Sequence, residues 1–261
     1  MIILINKMRF GIIIGLILGL SSVAFAQEKT APRTIVIVHG AWGGAWQFAK
    51  IDPLLRNDGF DVRRVTLTGL GERSHLANRD IGLETHIEDV SNIIRFEDLH
   101  DIILIGHSYG GMVITGVADR MPGRIAQLIY LEAMVPRDGE SAMSLMSANG
   151  PAMQERSVDG FIAPWWVRPG KPHPIDVPHP VKTLTDPIVL KNPSLQSIPS
   201  TFILTVEPGK DPQEDEFYAA SIRAQQSGWK VITMAGDHNP HWRQPQATVE
   251  VLERAIAGAR K

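Results

Sequence analysis

A serine between two glycines has the setting of a catalytic nucleophile. Residues 106–110 read Gly-His-Ser-Tyr-Gly, follow the apolar run 102–105 and precede a stretch of helical character. A serine at a sharp turn from strand to helix exposes its hydroxyl at the positive end of the helix dipole. The alternative role is a serine that only caps the helix. The pattern favours nucleophilic catalysis, and Ser108 is the predicted nucleophile.

A nucleophilic serine needs a base, which a histidine after the last predicted strand can provide. Residues 236–240 read Gly-Asp-His-Asn-Pro and follow the apolar segment 230–234. A histidine there can reach back over the end of the sheet to the serine. We therefore predict His238 as the base. His241, which lies further into the next helix, is the alternative.

The third member of such a triad is an acid that lies between serine and histidine in chain order. It fixes the imidazole tautomer and stabilises the imidazolium. Glu132 directly ends the apolar strand 128–131, whereas Glu207 and Asp211 follow the strand 201–206. Because the backbone holds a residue at a strand end most rigidly, Glu132 is the predicted acid. Glu207 and Asp211 stay as alternatives.

Backbone N–H groups near the serine can stabilise the negative charge that develops on a substrate oxygen. In this arrangement one donor follows the nucleophile, here Tyr109, and the other lies in the loop after an early strand. Residues 39–44 read His-Gly-Ala-Trp-Gly-Gly and follow the first predicted strand. Ala41 is the predicted second donor, with Trp42 as the alternative, and His39 is expected to brace the loop.

The elements that position these residues alternate between strand and helix along the chain. Strands are predicted at 34–38, 62–67, 101–105, 125–131, 201–206 and 230–234, and helices at 47–57, 84–97 and 109–120. Alternation of this kind predicts an α/β fold with a mostly parallel central sheet flanked by helices. The segment from about 135 to 199 breaks the alternation and is rich in Pro, Met and Trp. We expect it to be a cap inserted over the sheet, since loops that long are uncommon.

The N-terminal residues have the pattern of a secretory signal peptide. Lys7 and Arg9 precede the apolar run 10–20, and Ala-Phe-Ala ends at Ala26. A basic start, a short apolar stretch and small residues at the cleavage point are typical of such signals. We predict a signal peptide at 1–26, a hydrolase-type domain at 27–261, and a periplasmic or secreted location. A membrane anchor is the alternative, but the apolar stretch is short for a bilayer span.

Composition excludes several classes of function. The formal net charge is −2, so no basic surface indicates a nucleic-acid partner. The chain has no cysteine, which excludes disulfides, thiolate catalysis and cysteine-bound zinc. The histidines show no metal-ligand spacing. The sequence therefore predicts neither a metal nor another cofactor and no stable membrane insertion after signal cleavage, and it leaves a homodimer open.

With these residues identified, the chain resembles the methylesterase and hydroxynitrile-lyase branch of the α/β-hydrolases. The likeness runs over nearly all of residues 27–261. It is carried by residues 36–46, 104–111, 236–238 and 245–246. The resemblance implies an α/β-hydrolase fold with a Ser-His-acid triad.

Three positions refine what the resemblance implies. Hydroxynitrile lyases of this branch have a threonine and a lysine where this chain has Gly40 and Asn239, so the resemblance implies an esterase. Plant members keep their aspartate where this chain has Pro208, a departure that favours Glu132 as the acid.

The combined prediction is a hydrolase that cleaves small carboxylic esters, apolar or aromatic, through an acyl-enzyme. Two alternatives remain: a hydroxynitrile lyase or other non-hydrolytic enzyme on this fold, and a small-ligand-binding protein without turnover. Six apolar side chains of the inserted segment either line a substrate pocket or pack the cap: Met143, Met146, Met153, Phe161, Trp165 and Trp166.

Overall fold

The structure is a computed structural model that describes residues 33–146 and 149–258. The predicted signal peptide lies outside the described residues, so it stays a prediction. Within the described ranges, no helix combines the length and the hydrophobicity needed to cross a bilayer.

The described chain alternates strands and helices as expected. The strands are β1 (Thr34–Val38), β2 (Asp61–Val65), β3 (Ile102–Ser108), β4 (Ile125–Ala133), β5 (Phe161–Ile162), β6 (His179–Pro180), β7 (Ser200–Val206) and β8 (Lys230–Ala235). The α-helices are α1 (Asp52–Asn57), α2 (Leu83–Phe96), α3 (Gly110–Arg120), α4 (Ala142–Leu145), α5 (Asn149–Glu155), α6 (Val181–Thr185), α7 (Tyr218–Gln226), α8 (Pro240–Arg243) and α9 (Pro245–Ala257).

Six strands form one parallel sheet in the order β2-β1-β3-β4-β7-β8. Alternate residues of a strand face opposite sides of a sheet, and β1 shows the result. Val36 and Val38 join the core that includes α2 and α3, whereas Ile35 and Ile37 join the core that includes α1 and α9. The predicted parallel sheet with helices on its faces is confirmed, and Ser108 lies at the carboxyl end of a central strand.

The helix predicted at 47–57 is wrong as a single element. The chain forms a 3₁₀ turn at Ala45–Phe48 and begins α1 only at Asp52. Pro53 explains the break, because proline has no N–H to donate to the carbonyl four residues earlier and is tolerated only in a first helical turn. Strands β3 and β4 also run further than predicted and include Ser108 and Glu132.

The segment between β4 and β7 contributes no strand to the main sheet. Its strands β5 and β6 pair with each other in an antiparallel ladder. It contacts the loop after β1, because Val177 N–H donates to the Trp42 carbonyl at 2.9 Å and the Trp42 indole N–H donates to the Ile162 carbonyl at 2.9 Å. The segment therefore meets the carboxyl end of β1. The boundaries of a cap at 135–199 stay a prediction.

Helix α3 packs against the residue after β4 without room for a side chain at Gly111. A Cβ on Gly111 would lie 2.0 Å from the carbonyl oxygen of Met134. The Met134 N–H in turn donates to the Ser108 carbonyl at 3.0 Å. This close approach therefore holds the start of α3 at the turn that carries Ser108.

We expect Gly111→Ala to lower the free energy of unfolding by about 1–3 kcal/mol, the usual cost of overpacking. Alanine has the higher helix propensity, so a loss of stability would report the steric contact rather than the helix. Gly123→Ala is the control, because a Cβ there meets nothing within 4 Å. Urea unfolding measures both variants, and equal stability of Gly111→Ala and wild type would contradict the close approach.

Candidate active site

Ser108 lies in a backbone conformation that few residues other than glycine adopt. Its φ is +54°, a left-handed value that indicates strain when a side chain is present. The flanking positions have no room for side chains. A Cβ on Gly106 would lie 2.7 Å from the Gly110 carbonyl oxygen, and one on Gly110 would lie 2.7 Å from the Val38 carbonyl oxygen. The two glycines therefore allow the sharp turn that presents the serine.

Tyr109, directly after the serine, is held by a buried hydrogen-bond chain. One nitrogen of His86, Nε2, bonds the Thr68 carbonyl at 2.9 Å, and Nδ1 bonds the Tyr109 hydroxyl at 3.0 Å. A carbonyl only accepts, so Nε2 carries the proton and the tyrosine donates to Nδ1. Burial lowers the pKa of His86 to about 4, which keeps it neutral. These hydrogen bonds hold the Tyr109 side chain in the core.

The loop after β1 lies against the serine. A Cβ on Gly40 would be 2.9 Å from Ser108 Cβ and 3.4 Å from Ser108 Oγ. Neither Ala41 N–H nor Tyr109 N–H is a donor in the turn and loop hydrogen bonds of the described residues. The Trp42 N–H, in contrast, donates to His179 Nδ1 at 3.0 Å. The alternative oxyanion donor is therefore occupied, and Ala41 with Tyr109 stays the predicted pair.

Two further histidines brace this loop. His39 Nε2 accepts the Leu67 N–H at 3.1 Å, so its Nδ1–H donates to the Gly40 carbonyl at 2.7 Å. Burial lowers the pKa of His39 to about 4. The bracing role predicted for His39 is confirmed. His179, which accepts from Trp42, bonds Thr183 Oγ1 through Nε2 at 2.6 Å. Its role had no signal in the sequence, because it depends on how the inserted segment folds back.

His238 follows β8 and is anchored beside the nucleophile. Its carbonyl accepts from Nε2 of His107, the residue before Ser108, at 2.8 Å, and the two rings are 4.7 Å apart. Phe217 stacks on the His238 ring at 5.1 Å. The hydrogen bonds of the described residues include none between the Ser108 hydroxyl and the His238 ring. Catalytic hydrogen bonds are often long before substrate binds, so the base assignment stays a prediction that rests on position.

Burial lowers the pKa of both candidate bases, His238 and His241. It lowers the pKa of His238 to about 4, against the opposing charges of Asp215 and Asp237. His238 is therefore neutral at physiological pH, as a general base must be. Burial also lowers the pKa of His241, to about 3, and its ring stacks on Phe48 at 4.2 Å. These contacts give His241 a packing role.

Glu132 occupies an unusual backbone position. Its φ is +46°, and the register between β3 and β4 shifts so that Ser108 pairs with Ala133 instead of Glu132. The side chain is fully buried, and Oε2 accepts the Thr205 N–H at 2.6 Å. Burial, followed by a hydrogen bond with the Asp215 side chain, raises the pKa of Glu132 to about 9. Its role as the triad acid stays a prediction.

The alternative acids lie on the surface with partners of their own. Glu207 is exposed and pairs with Lys210 at 2.7 Å. Asp211 caps a 3₁₀ turn by accepting the Gln213 N–H at 2.9 Å. Asp215, four residues further on, is half-buried and interacts with Glu132, and sequence reasoning did not single it out. The position of Asp215 depends on the path of the loop after β7, which has no regular periodicity to read.

An aromatic cluster lies where the inserted segment meets the loop after β1. Trp42 makes edge contacts with Trp165 at 6.0 Å and with Trp166 at 5.1 Å. Trp165 and Trp166 are 53% and 46% exposed, so both side chains are partly open to solvent. Of the other side chains expected to line a pocket, Met143 is buried in the core, and Met146 and Met153 are partly buried and pack against it.

The chain is similar to a known protein family and to several characterised or named proteins. A family model described as "Alpha/beta hydrolase family" matches residues 35–251. A carbendazim-hydrolyzing esterase from Nocardioides sp. (strain SG-4G) is 49% identical over 129 residues, 49% of this chain and 53% of that protein. The putative chloroplastic methylesterase 11 of Arabidopsis thaliana is 31% identical over 113 residues, 43% of this chain and 29% of that protein. The chain thus spans about half, or less, of the length of these relatives.

Solved structures with the same fold cover most of the chain. An extracellular α/β-hydrolase from a Paenibacillus species, described as sharing homology with tobacco salicylic acid binding protein 2, aligns at a TM-score of 0.71 and 24% identity, over 86% of this chain and 99% of that one. A methylesterase from Arabidopsis aligns at 0.67 and 22% identity, over 86% and 99%. These likenesses concern the fold. Together with the family match over residues 35–251, they lead to one conclusion: the chain belongs to the α/β hydrolase family.

Proposed function

We propose that the protein is a serine hydrolase that cleaves small carboxylic esters through an acyl-enzyme. The observation that carries this proposal is the strained φ of +54° at Ser108, between two glycines at the carboxyl end of β3. The names of the relatives, an esterase and a methylesterase, support the ester class.

The proposed mechanism uses the predicted nucleophile, base and oxyanion donors. Ser108 attacks the ester carbonyl and passes its proton to His238, while the Ala41 and Tyr109 N–H groups stabilise the oxyanion. The leaving alkoxide takes the proton from His238. His238 then takes a proton from a water molecule as that water attacks the acyl carbonyl. The tetrahedral intermediate collapses, the carboxylic acid leaves, and His238 returns the proton to the Ser108 oxygen.

Two observations speak against a hydroxynitrile lyase. A threonine at position 40 would place its Cβ 2.9 Å from Ser108 Cβ, too close without a backbone shift. Asn239 offers no positive charge to hold a cyanide leaving group. Hydrolysis therefore fits this site better than cyanohydrin cleavage.

We propose small esters with an aromatic group as the substrate class. The exposed rings of Trp165 and Trp166 meet Trp42 edge-on, at interplanar angles of 80° and 81°, and form an aromatic surface near the predicted oxyanion loop. Such rings favour aromatic ligands by stacked or edge contacts. The relative named for hydrolysing carbendazim adds aromatic methyl carbamates to the substrates worth testing.

We also propose that the protein is exported and acts in the periplasm or outside the cell. The support is the order of Lys7 and Arg9, the apolar run 10–20 and the Ala-Phe-Ala sequence that ends at Ala26.

Replacement of the nucleophile gives the first test. We expect Ser108→Ala to lower turnover of p-nitrophenyl acetate by at least about 1,000-fold, because no acyl-enzyme can form. A fluorophosphonate probe should label the wild type and not the variant. Ser197→Ala, at an exposed serine, is the control and should behave as wild type. Full turnover by Ser108→Ala would exclude the mechanism, and an unlabelled, inactive wild type would favour a ligand-binding protein.

The aromatic surface gives a second test. We expect Trp166→Ala to raise KM for methyl benzoate and for carbendazim roughly tenfold, equivalent to about 1.4 kcal/mol, with little change for ethyl acetate. Steady-state kinetics on the three substrates measure the difference. Phe96→Ala is the control, because Phe96 is 84% exposed at the end of α2. An equal rise in KM for methyl benzoate, carbendazim and ethyl acetate in Trp166→Ala would refute aromatic selectivity.

Export gives a third test. We expect the protein recovered from the periplasm or medium of a bacterial host to begin at Gln27, since the small residues before it suit signal peptidase. N-terminal sequencing measures the start. Ala26→Asp should block processing, whereas Ala31→Asp, beyond the site, should not. Recovery of the full-length chain in the membrane fraction would instead support an anchor.

A further inference from the structure

Two carboxyl groups meet near the predicted base without a donor between them. Glu132 is fully buried, and its Oε2 accepts the Thr205 N–H. Its other oxygen, Oε1, is buried and accepts no hydrogen bond among the described residues. The Thr205 hydroxyl also lies near this carboxyl and acts to lower its pKa, more weakly than burial and Asp215 raise it. The side chain of Asp215 lies within hydrogen-bonding reach of this carboxyl. The buried carboxyl of Glu132 is therefore in contact with a second acid.

A proton between the two acids accounts for this contact. Two ionised carboxylates in direct contact repel each other, so one of such a pair keeps its proton. A proton on Glu132 Oε1 turns that oxygen into a donor toward Asp215. Burial and the neighbouring Asp215 both raise the pKa of Glu132, to about 9.

The surroundings indicate which acid keeps the negative charge. Asp215 is half-buried, and its Oδ1 already accepts the Phe217 N–H at 2.8 Å. Glu132 is fully buried, where a charge costs more. The negative charge therefore resides on Asp215.

Asp215 also acts on His238, through its charge and through Phe217, which lies between them in sequence and in contact. Phe217, which donates to Asp215, stacks on the His238 ring. Of the charges that raise the pKa of His238, Asp215 acts most strongly and Asp237 second. Asp237 also has a cation partner, Arg243 at 3.4 Å. His238 Nδ1 is buried and has no hydrogen-bond partner among the described residues.

We propose that Glu132 and Asp215 together fill the acid position of the triad, with one shared proton. Glu132 donates that proton in a hydrogen bond to the Asp215 carboxylate, and Asp215 supplies the negative charge that stabilises the His238 imidazolium. Glu132 is then a neutral positioning residue. This inference rests on the proposed function, because it assigns roles within the same site.

Conservative amide variants separate the two roles. Asp215→Asn removes the charge but keeps an acceptor for Phe217 N–H, so we expect kcat to fall at least about 100-fold. The acidic limb of the kcat/KM profile should also move to lower pH, since the charge no longer raises the pKa of His238. Glu132→Gln keeps a donor toward Asp215 and an acceptor toward Thr205, so kcat should fall only a few-fold. Glu214→Gln, at the exposed neighbouring acid, is the control.

Unfolding as a function of pH tests the shared proton without using activity. Folded Glu132 holds its proton up to about pH 9, whereas the unfolded chain releases it near 4.5. Its contribution to stability is therefore complete below about pH 4.5 and is lost as pH rises towards 9. Asp215 is the titratable group that acts on Glu132, and Asp215, Asp237, His107 and His241 surround His238. We expect the urea midpoint of Glu132→Gln to fall less between pH 5 and 9 than that of wild type and Glu214→Gln.

Three results would overturn the pair. An equal loss of kcat in Glu132→Gln and Asp215→Asn would show that the charge of Glu132 is needed for catalysis. A loss of only a few-fold in Asp215→Asn would show that Asp215 has no part in catalysis. Identical pH dependence of unfolding in wild type and Glu132→Gln would show that folded Glu132 holds no proton. Failure of the proposed function looks different: the wild type would then neither hydrolyse esters nor take the fluorophosphonate label, while the unfolding comparison would still report on the pair.

Discussion

The close backbone packing around Ser108 is the constraint on which the rest of the structure depends. Strand β3, the loop after β1, the start of α3 and the end of β4 all meet within contact distance of this one residue. The approach is possible only because positions 40, 106, 110 and 111 are glycines, each with a neighbour inside 3 Å of where a Cβ would be. A residue held by four elements retains a strained φ that an isolated turn would relax. The parallel sheet, by placing β3 between β1 and β4, provides those neighbours.

Buried neutral histidines then connect this turn to the surrounding loops. Burial disfavours the imidazolium, so each ring has one donor and one acceptor nitrogen and can join two backbone segments. His39 joins the loop after β1 to the end of β2, and His86 joins α2 to Tyr109. His179 joins the inserted segment to Trp42, and His107 joins the serine turn to the His238 loop. The parts of the site that come from distant sequence are thus positioned by uncharged hydrogen bonds, which do not change with pH near neutrality.

The sequence predicts what depends on local pattern and misses what depends on the path of loops. The six sheet strands and the turn at Ser108 follow from apolar runs and from adjacent glycines, so they could be predicted. Pro53 allows a helix to begin at Asp52 but not to run through from residue 47, so the single helix predicted at 47–57 is wrong. His179 and Asp215 could not be assigned, because each acts through a segment of irregular backbone that returns to the sheet from far away. Their contacts exist only after the chain has folded.

The proposed pair of Glu132 and Asp215 explains how a negative charge is held near His238 although the loop after β7 carries Pro208. Where the resemblance to plant methylesterases implies an aspartate directly after β7, this chain has Pro208, and the loop continues to Asp215 before it returns to the sheet. A carboxylate at the end of a longer loop needs a rigid partner to hold it. The bulge in β4 turns Glu132 into the interior at that point, where a carboxyl is held by a backbone N–H of β7. A second ionised acid there would repel the first, but a protonated one donates a hydrogen bond. Because burial keeps Glu132 protonated, the two carboxyl groups do not repel each other, and Glu132 stabilises the negative charge of Asp215 by a hydrogen bond.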